Sequence, residues 1–152
     1  MDVALREVED GDLPVFFANQ RDPESTALAG LAARDRAAFD AHWEKIRRDP
    51  ATTIRTVVAD GAVAGNVLSF VQSGKPVVGY RIGREHWGRG IATRALAAFV
   101  REVAARPLYA TVALGNAPSV RVLEKCGFTL AGEVEEFGER VLELVLESEE
   151  RP

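Results

Sequence analysis

The chain has 152 residues, 47% of them hydrophobic and 28% charged, which is the balance of one globular domain with a core of its own. A net charge of −4 and a pI near 5.3 exclude a broad basic surface for nucleic acid, and no apolar run reaches the length of a membrane span. A single cysteine, Cys126, cannot form an internal disulfide and fits a cytoplasmic location, as does an acidic N-terminus (Asp2, Glu7) without the pattern of an export signal.

Val3 to Val8 alternates apolar and charged residues, as a half-exposed strand does. Asp10-Gly-Asp12 supplies a turn and a helix cap, with Pro14 in the first turn of a helix that turns Leu13, Phe16 and Phe17 inward and frays near Arg21-Asp22-Pro23. Glu24 to Ala33 is rich in small residues and reads as a loop or short helix at the rim. Asp35 caps a second helix to about Arg48, with Phe39, Trp43 and Ile46 on one stripe. Its His42 and Trp43 read as ordinary amphipathic packing; the alternative is an aromatic edge on a substrate pocket.

Thr53–Ala59 and Ala62–Gln72 are β-branched, apolar runs separated by Asp60-Gly61, a strong hairpin signal. Ser73-Gly74-Lys75-Pro76 makes the next turn, and Val77–Ile82 the next strand, so the first half is an antiparallel meander. A loop bearing Gly83, Gly88 and Gly90 then opens a helix from Ile91 to about Ala105, with Ala92, Ala95, Leu96, Phe99 and Val103 at helical spacing.

A helix start exposes N–H groups without internal partners and carries partial positive charge. Glycines at 88 and 90 let a ligand approach the backbone, and Arg84, Arg89 and Arg94 add charge nearby, so the stretch reads as a phosphate cradle. The same glycine pattern also serves as a plain strand-to-helix turn. Arg106-Pro107 ends the helix and Leu108–Leu114 is a strand, which implies a parallel pair with a right-handed crossover and a crevice beyond the strands' carboxyl ends.

Asn116 or Ala117 caps the next helix, with Pro118 in its first turn, Val120, Leu123 and Cys126 inward, and Gly127 as a left-handed stop. Phe128–Val134 and Arg140–Glu147 pair around Glu136-Phe137-Gly138. Residues 1–147 form the expected domain, and 148–152 a polar tail.

Three segments together resemble the GNAT superfamily of N-acetyltransferases: Val77-Val-Gly-Tyr-Arg-Ile82, Trp87-Gly-Arg-Gly-Ile-Ala92, and the run from Asn116 to Phe128. Within it the pattern is similar to the branch that acetylates N-terminal amines of ribosomal proteins. A Rossmann site is disfavoured, because its glycine motif belongs near the first strand with an acid about twenty residues on. The resemblance implies an α/β (α+β) single-domain fold, with a mixed sheet of about seven strands, about four helices and a parallel pair at the cofactor crevice. It also implies acetyl-CoA as cosubstrate, no metal, no nucleic-acid or membrane partner, and a monomer or homodimer.

By the same resemblance, backbone groups of Tyr80, Arg81 and Ile82 pair with the pantetheine arm of coenzyme A. The N–H groups of Gly88, Arg89, Gly90, Ile91, Ala92 and Thr93 hold its pyrophosphate. Asn116 hydrogen-bonds the pantetheine or acetyl end, and Ser119 returns a proton to the leaving thiolate; the alternative for both is plain helix capping. Cys126 follows core spacing and reads as packing rather than as a nucleophile.

The departures from the family pattern are specific. Trp87 stands where relatives often carry Gln or Arg. Val77, Thr111 and Leu123 occupy places where relatives carry a carboxylate, a Glu base and a Tyr acid. Glu24, His42, Glu85 and His86 remain as groups that could act through water.

Presenting a neutral amine at pH 7 costs about 1 kcal/mol for an α-amine and roughly 4–5 kcal/mol for a lysine amine, so missing bases suit a weakly basic acceptor. The expected reaction is direct attack of a primary amine on acetyl-CoA, with a peptide α-amine as acceptor and a backbone N–H of Val78–Tyr80 steadying the oxyanion. The alternatives are a small-molecule amine such as an antibiotic or polyamine, and a sensor that binds an acyl-CoA without turnover.

Overall fold

A computed structural model describes residues 1–24 and 33–147. The rim segment expected over Glu24–Ala33 falls, between its two end residues, outside the described residues, as does the polar tail. In chain order the elements are β1 (Val3–Arg6), α1 (Leu13–Arg21), α2 (Arg36–Arg48), β2 (Thr53–Ala59), β3 (Ala62–Gln72), β4 (Lys75–Ile82), α3 (Ile91–Glu102), β5 (Leu108–Ala113), α4 (Ala117–Lys125), β6 (Thr129–Glu136) and β7 (Glu139–Leu146). The strands form one sheet in the order β1-β2-β3-β4-β5-β7-β6, antiparallel except for the β4–β5 pair. No described helix is long and apolar enough to cross a membrane.

Three two-residue turns build the hairpins: Asp60-Gly61, Ser73-Gly74 and Phe137-Gly138. Both residues of each have positive φ, the primed-turn geometry that matches the strand twist. The second turn is shorter than its sequence suggests, since Lys75 and Pro76 join β4. Gly83 N–H donates to Ala64 O, and pairing alternates along an antiparallel ladder, so the odd-numbered residues of β4 bond toward β3. Pro76 lies on the even set, and its missing N–H takes no bond from that ladder.

Alternate strand residues feed two cores, one on each face of the sheet: Val67 joins the first and Leu68 packs against the second. The first buries Ile91, Leu96 and Phe99 of α3 and Leu123 of α4 against Val78, Leu108, Val112 and Leu144. The second joins Phe16, Phe39, Trp43 and Ile54 under α1 and α2. Trp43 stacks at 5.0 Å on Phe16 and 5.9 Å on Phe39, so it serves the core rather than a pocket edge.

Asp12 stands at the start of α1 but makes no side-chain cap. Its buried carboxylate takes a fork from Arg6 at 2.7 and 2.9 Å, the Thr56 hydroxyl at 2.7 Å and Glu9 N–H at 2.9 Å. The Arg6 hydrogen bond foremost holds its pKa down at about 2 against burial. With Arg6 turned onto Asp12, β1 ends there rather than at Val8.

Helix α3 closes a turn before Ala105. The Arg106 guanidinium donates to the carbonyls of Val100, Val103 and Ala105, each at 2.8 Å, and so satisfies groups that another helical turn would otherwise serve.

Candidate functional site

Strands β4 and β5 pair only at Val77 and Tyr109 and then part. The cleft between them has a volume of about 740 Å³ and is walled by β4, β5, the start of α3 and one side of α4. Tyr80 and Ile82 belong to the even set of β4 and turn their backbone groups into this gap. Arg81 turns its own toward Asn66 in β3, although it lines the cleft. Trp87 Nε1–H donates to Ile82 O at 2.8 Å, which ties the end of β4 to the loop and removes that carbonyl from the gap.

The start of α3 is bare. Gly90 has φ of 78°, offers no side chain as a cap, and lets the first helical bond form only at Arg94 N–H. Among the described residues the N–H groups of Ile91, Ala92 and Thr93 meet no protein acceptor, and all three residues line the cleft with Gly88 and Gly90. A Cβ built at either glycine would meet no atom within 4 Å, so the space beyond them is open, while their positive φ values disfavour other residues.

The three arginines assigned to the cradle from sequence do not line it. Arg84 pairs with Asp22 at 2.6 Å and Glu24 at 3.4 Å, Arg89 with Asp60 at 3.3 Å, and Arg94 donates to Met1 O at 2.7 Å. Arg84 and Arg89, leaving the loop, follow nearby carboxylates, while Arg94, on α3, reaches a backbone carbonyl. Among the described residues, the cations along the cleft are Arg81, and Arg121 and Lys125 of α4, which helical spacing puts one turn apart on the same side. The i, i+4 spacing of Arg121 and Lys125 is the sequence signal for this cationic side of α4.

At the start of α4, Asn116 Oδ1 accepts from Ser119 N–H at 3.3 Å. The cap therefore belongs to Asn116, and the Ser119 hydroxyl is left for Tyr80, whose phenol lies 2.7 Å away. All three residues line the cleft. Burial raises the Tyr80 pKa, opposed by the Ser119 hydrogen bond, so the phenol keeps its proton through the neutral range. No local motif announces this hydroxyl pair, which depends on how α4 lies over β4.

Thr111 lines the cleft, and Glu136 Oε1 stands 3.5 Å from its hydroxyl, with Glu143 directly across on β7. Glu143 pairs with Lys75 at 3.7 Å. The carboxylate absent from position 111 is thus brought close by strand pairing and hairpin closure, a neighbour no local motif announces. Glu85, His86 and Glu24 lie elsewhere: His86 lines the cleft near the glycine loop, 3.7 Å from Glu85, and Glu24 faces Arg84. Burial foremost, then Arg34 and Lys45, lowers the pKa of His42. Cys126 donates its S–H to Thr93 O at 3.4 Å, and burial raises its pKa, the reverse of an activated thiolate.

The acetyltransferase (GNAT) domain family matches residues 2–129. The chain belongs to that family. No curated protein sequence matches it significantly. Among solved structures, the aminoglycoside acetyltransferase AAC(6′)-Ib, in complex with paromomycin and acetyl-CoA, superposes with a TM-score of 0.84 at 17% identity, covering 97% of this chain and 94% of the other. Spermidine N-acetyltransferase from Vibrio cholerae, in complex with CoA and spermine, gives 0.81 at 21% identity, covering 95% of each chain. A GNAT-family acetyltransferase from Bacillus anthracis gives 0.80 at 17%, covering 97% and 95%. These likenesses establish the GNAT fold anticipated from the three motifs. The narrower resemblance to the branch acting on ribosomal-protein N-termini finds no support among them.

Proposed function

We propose that the protein is an acetyl-CoA-dependent N-acetyltransferase whose acceptor is a small-molecule primary amine, with direct transfer between the two substrates. The observation that carries this reading is the bare start of α3: free N–H groups of Ile91, Ala92 and Thr93 beside open space over Gly88 and Gly90, all on one cleft. Such a helix start suits a pyrophosphate in charge and in donor geometry. The names of the structural relatives favour a small amine over the peptide α-amine expected from sequence.

Acetyl-CoA supplies the activated thioester. The amides from Gly88 to Thr93 hold its pyrophosphate, and Arg121 and Lys125 add charge along the same wall. Tyr80 N–H and C=O and Ile82 N–H extend toward the pantetheine arm as an edge strand would. Asn116 keeps Oδ1 on its cap and presents its amide NH₂ to the cleft. An N–H of the Val78–Tyr80 stretch steadies the oxyanion, Glu136 beside Thr111 draws the proton from the attacking amine, and the Ser119 hydroxyl protonates the departing thiolate.

The test is release of free thiol from acetyl-CoA against a panel of amines. Turnover with polyamines or amino sugars is expected. Turnover with peptide N-termini alone would restore the protein acceptor, and tight binding without release from any amine would make the chain a sensor.

A further inference from the structure

Leaving-group protonation at Ser119 has a difficulty that the geometry resolves. An aliphatic hydroxyl is a weak acid and rotates freely, so by itself it neither aims its proton nor carries the charge left behind. Here the Ser119 oxygen lies 2.7 Å from the Tyr80 hydroxyl, and both residues line the cleft. Tyr80 is itself fixed: its backbone lies in the β4 ladder and its ring packs against the α3–α4 core. Ser119 is fixed from the other side, its N–H held by Asn116.

We infer that Tyr80 is the positioning residue for the proton that Ser119 delivers. An O–H···O pair has two proton arrangements, and a thiolate forming in the cleft selects one of them. The hydroxyl nearer the anion turns its hydrogen toward it, and the phenol then donates to the oxygen so exposed.

In the step itself the thioester C–S bond breaks with its electron pair going to sulfur, and sulfur takes the Ser119 hydrogen. The Ser119 oxygen takes the phenolic hydrogen of Tyr80 in the same motion. The proton that Glu136 drew from the attacking nitrogen returns through water to the phenolate. Acetyl-CoA and amine thus become amide and free thiol, with both hydroxyls restored. The raised pKa of Tyr80 keeps the phenol loaded at the working pH.

This inference rests on the acetyltransferase reading above, and its test separates the two. Tyr80→Phe keeps the ring and removes only the hydroxyl. Expected is a fall in kcat of about 10- to 100-fold, at or below the lower end of what a directly transferring group contributes, because Tyr80 acts through Ser119. Acetyl-CoA Kd by calorimetry, acceptor KM and thermal midpoint stay near wild type. Ser119→Ala loses at least as much, and the double variant is no slower than Ser119→Ala. The proton inventory of kcat in mixed light and heavy water is bowed for wild type, as two moving protons require, and linear for Tyr80→Phe.

A readout without turnover uses the chain's two tyrosines. In a Tyr109→Phe background, Ser119→Ala moves the ultraviolet titration of Tyr80 upward by removing its hydrogen bond. A kcat within twofold of wild type in Tyr80→Phe, additive losses in the double variant, or a titration unmoved by Ser119→Ala would overturn the proposal. A wild type that neither binds nor cleaves acetyl-CoA overturns the functional reading and this proposal with it.

Discussion

Helices α3 and α4 both begin where a strand ends and both start beside the same cleft, yet one start is open and the other closed. At α3 the cap is Gly90, which has no side chain to offer, and three N–H groups face the cleft unbonded. At α4 Asn116 takes Ser119 N–H, and Pro118 in the first turn has no N–H to leave bare. The dipole favours an anion at either end, but among the described residues α3 leaves the N–H groups of Ile91, Ala92 and Thr93 without a protein acceptor beside the cleft, whereas at α4 the Ser119 N–H is taken. On the proposed reading the two helices have separate work: α3 would bind through its backbone, and α4 would act through its side chains.

The sharpest way to break this comparison is to fill the open start. Gly90→Val puts a branched side chain into the open space at a φ that β-branched residues avoid. Affinity for coenzyme A should fall by about 100-fold or more, near 3 kcal/mol, while far-ultraviolet dichroism stays native. Unchanged affinity by calorimetry would remove α3 as the anion site.

The start of α1 gives a third case, in which an acid is turned from capping to a buried pairing. The folded pKa of Asp12, about 2, lies below its ordinary 3.8. The carboxylate therefore adds roughly 2 kcal/mol of stability above about pH 4, lost as pH falls from there through 2. Acid-unfolding midpoints should show this for wild type, and Asp12→Asn should flatten the dependence between pH 4 and 2.

Asn116 sharpens the comparison by separating cap from contact. Asn116→Ala should cost about 1 kcal/mol in thermal or urea unfolding, as lost caps do. Asn116→Asp keeps the accepting oxygen and loses the amide donor, so stability should hold while KM for acetyl-CoA rises severalfold. Equal effects on stability and KM in both variants would reduce Asn116 to a cap.

The smallest effect belongs to Trp87. Trp87→Phe removes the donor to Ile82 O and should cost about 0.5–1.5 kcal/mol of stability. Coenzyme A affinity should change by less than tenfold, because the indole is not the binding group.

Much of the frame was legible in the residues. Asp60-Gly61 marked its hairpin, Pro118 and Gly127 bracketed α4, and the strand–helix–strand run from Val77 to Leu114 required a parallel pair with its crevice at the start of α3. These features are local: turn chemistry, helix punctuation and apolar period act within a few residues, and neighbouring sequence holds all the information they need. The end of α3 lies earlier than its apolar period implies because Arg106 reaches back from outside the helix to its last carbonyls.

What the sequence alone determined, then, is the order of elements and a glycine-lined helix start whose amides no side chain covers. Tertiary structure decided which charges and hydroxyls meet there. It drew Arg84, Arg89 and Arg94 to Asp22, Asp60 and Met1 instead of the cleft, brought Glu136 to Thr111, and laid Ser119 against Tyr80, thirty-nine residues apart in the chain. The physical reason is reach: backbone conformation is set by adjacent residues, whereas a side chain pairs with whatever the packed sheet and helices bring within a few ångströms.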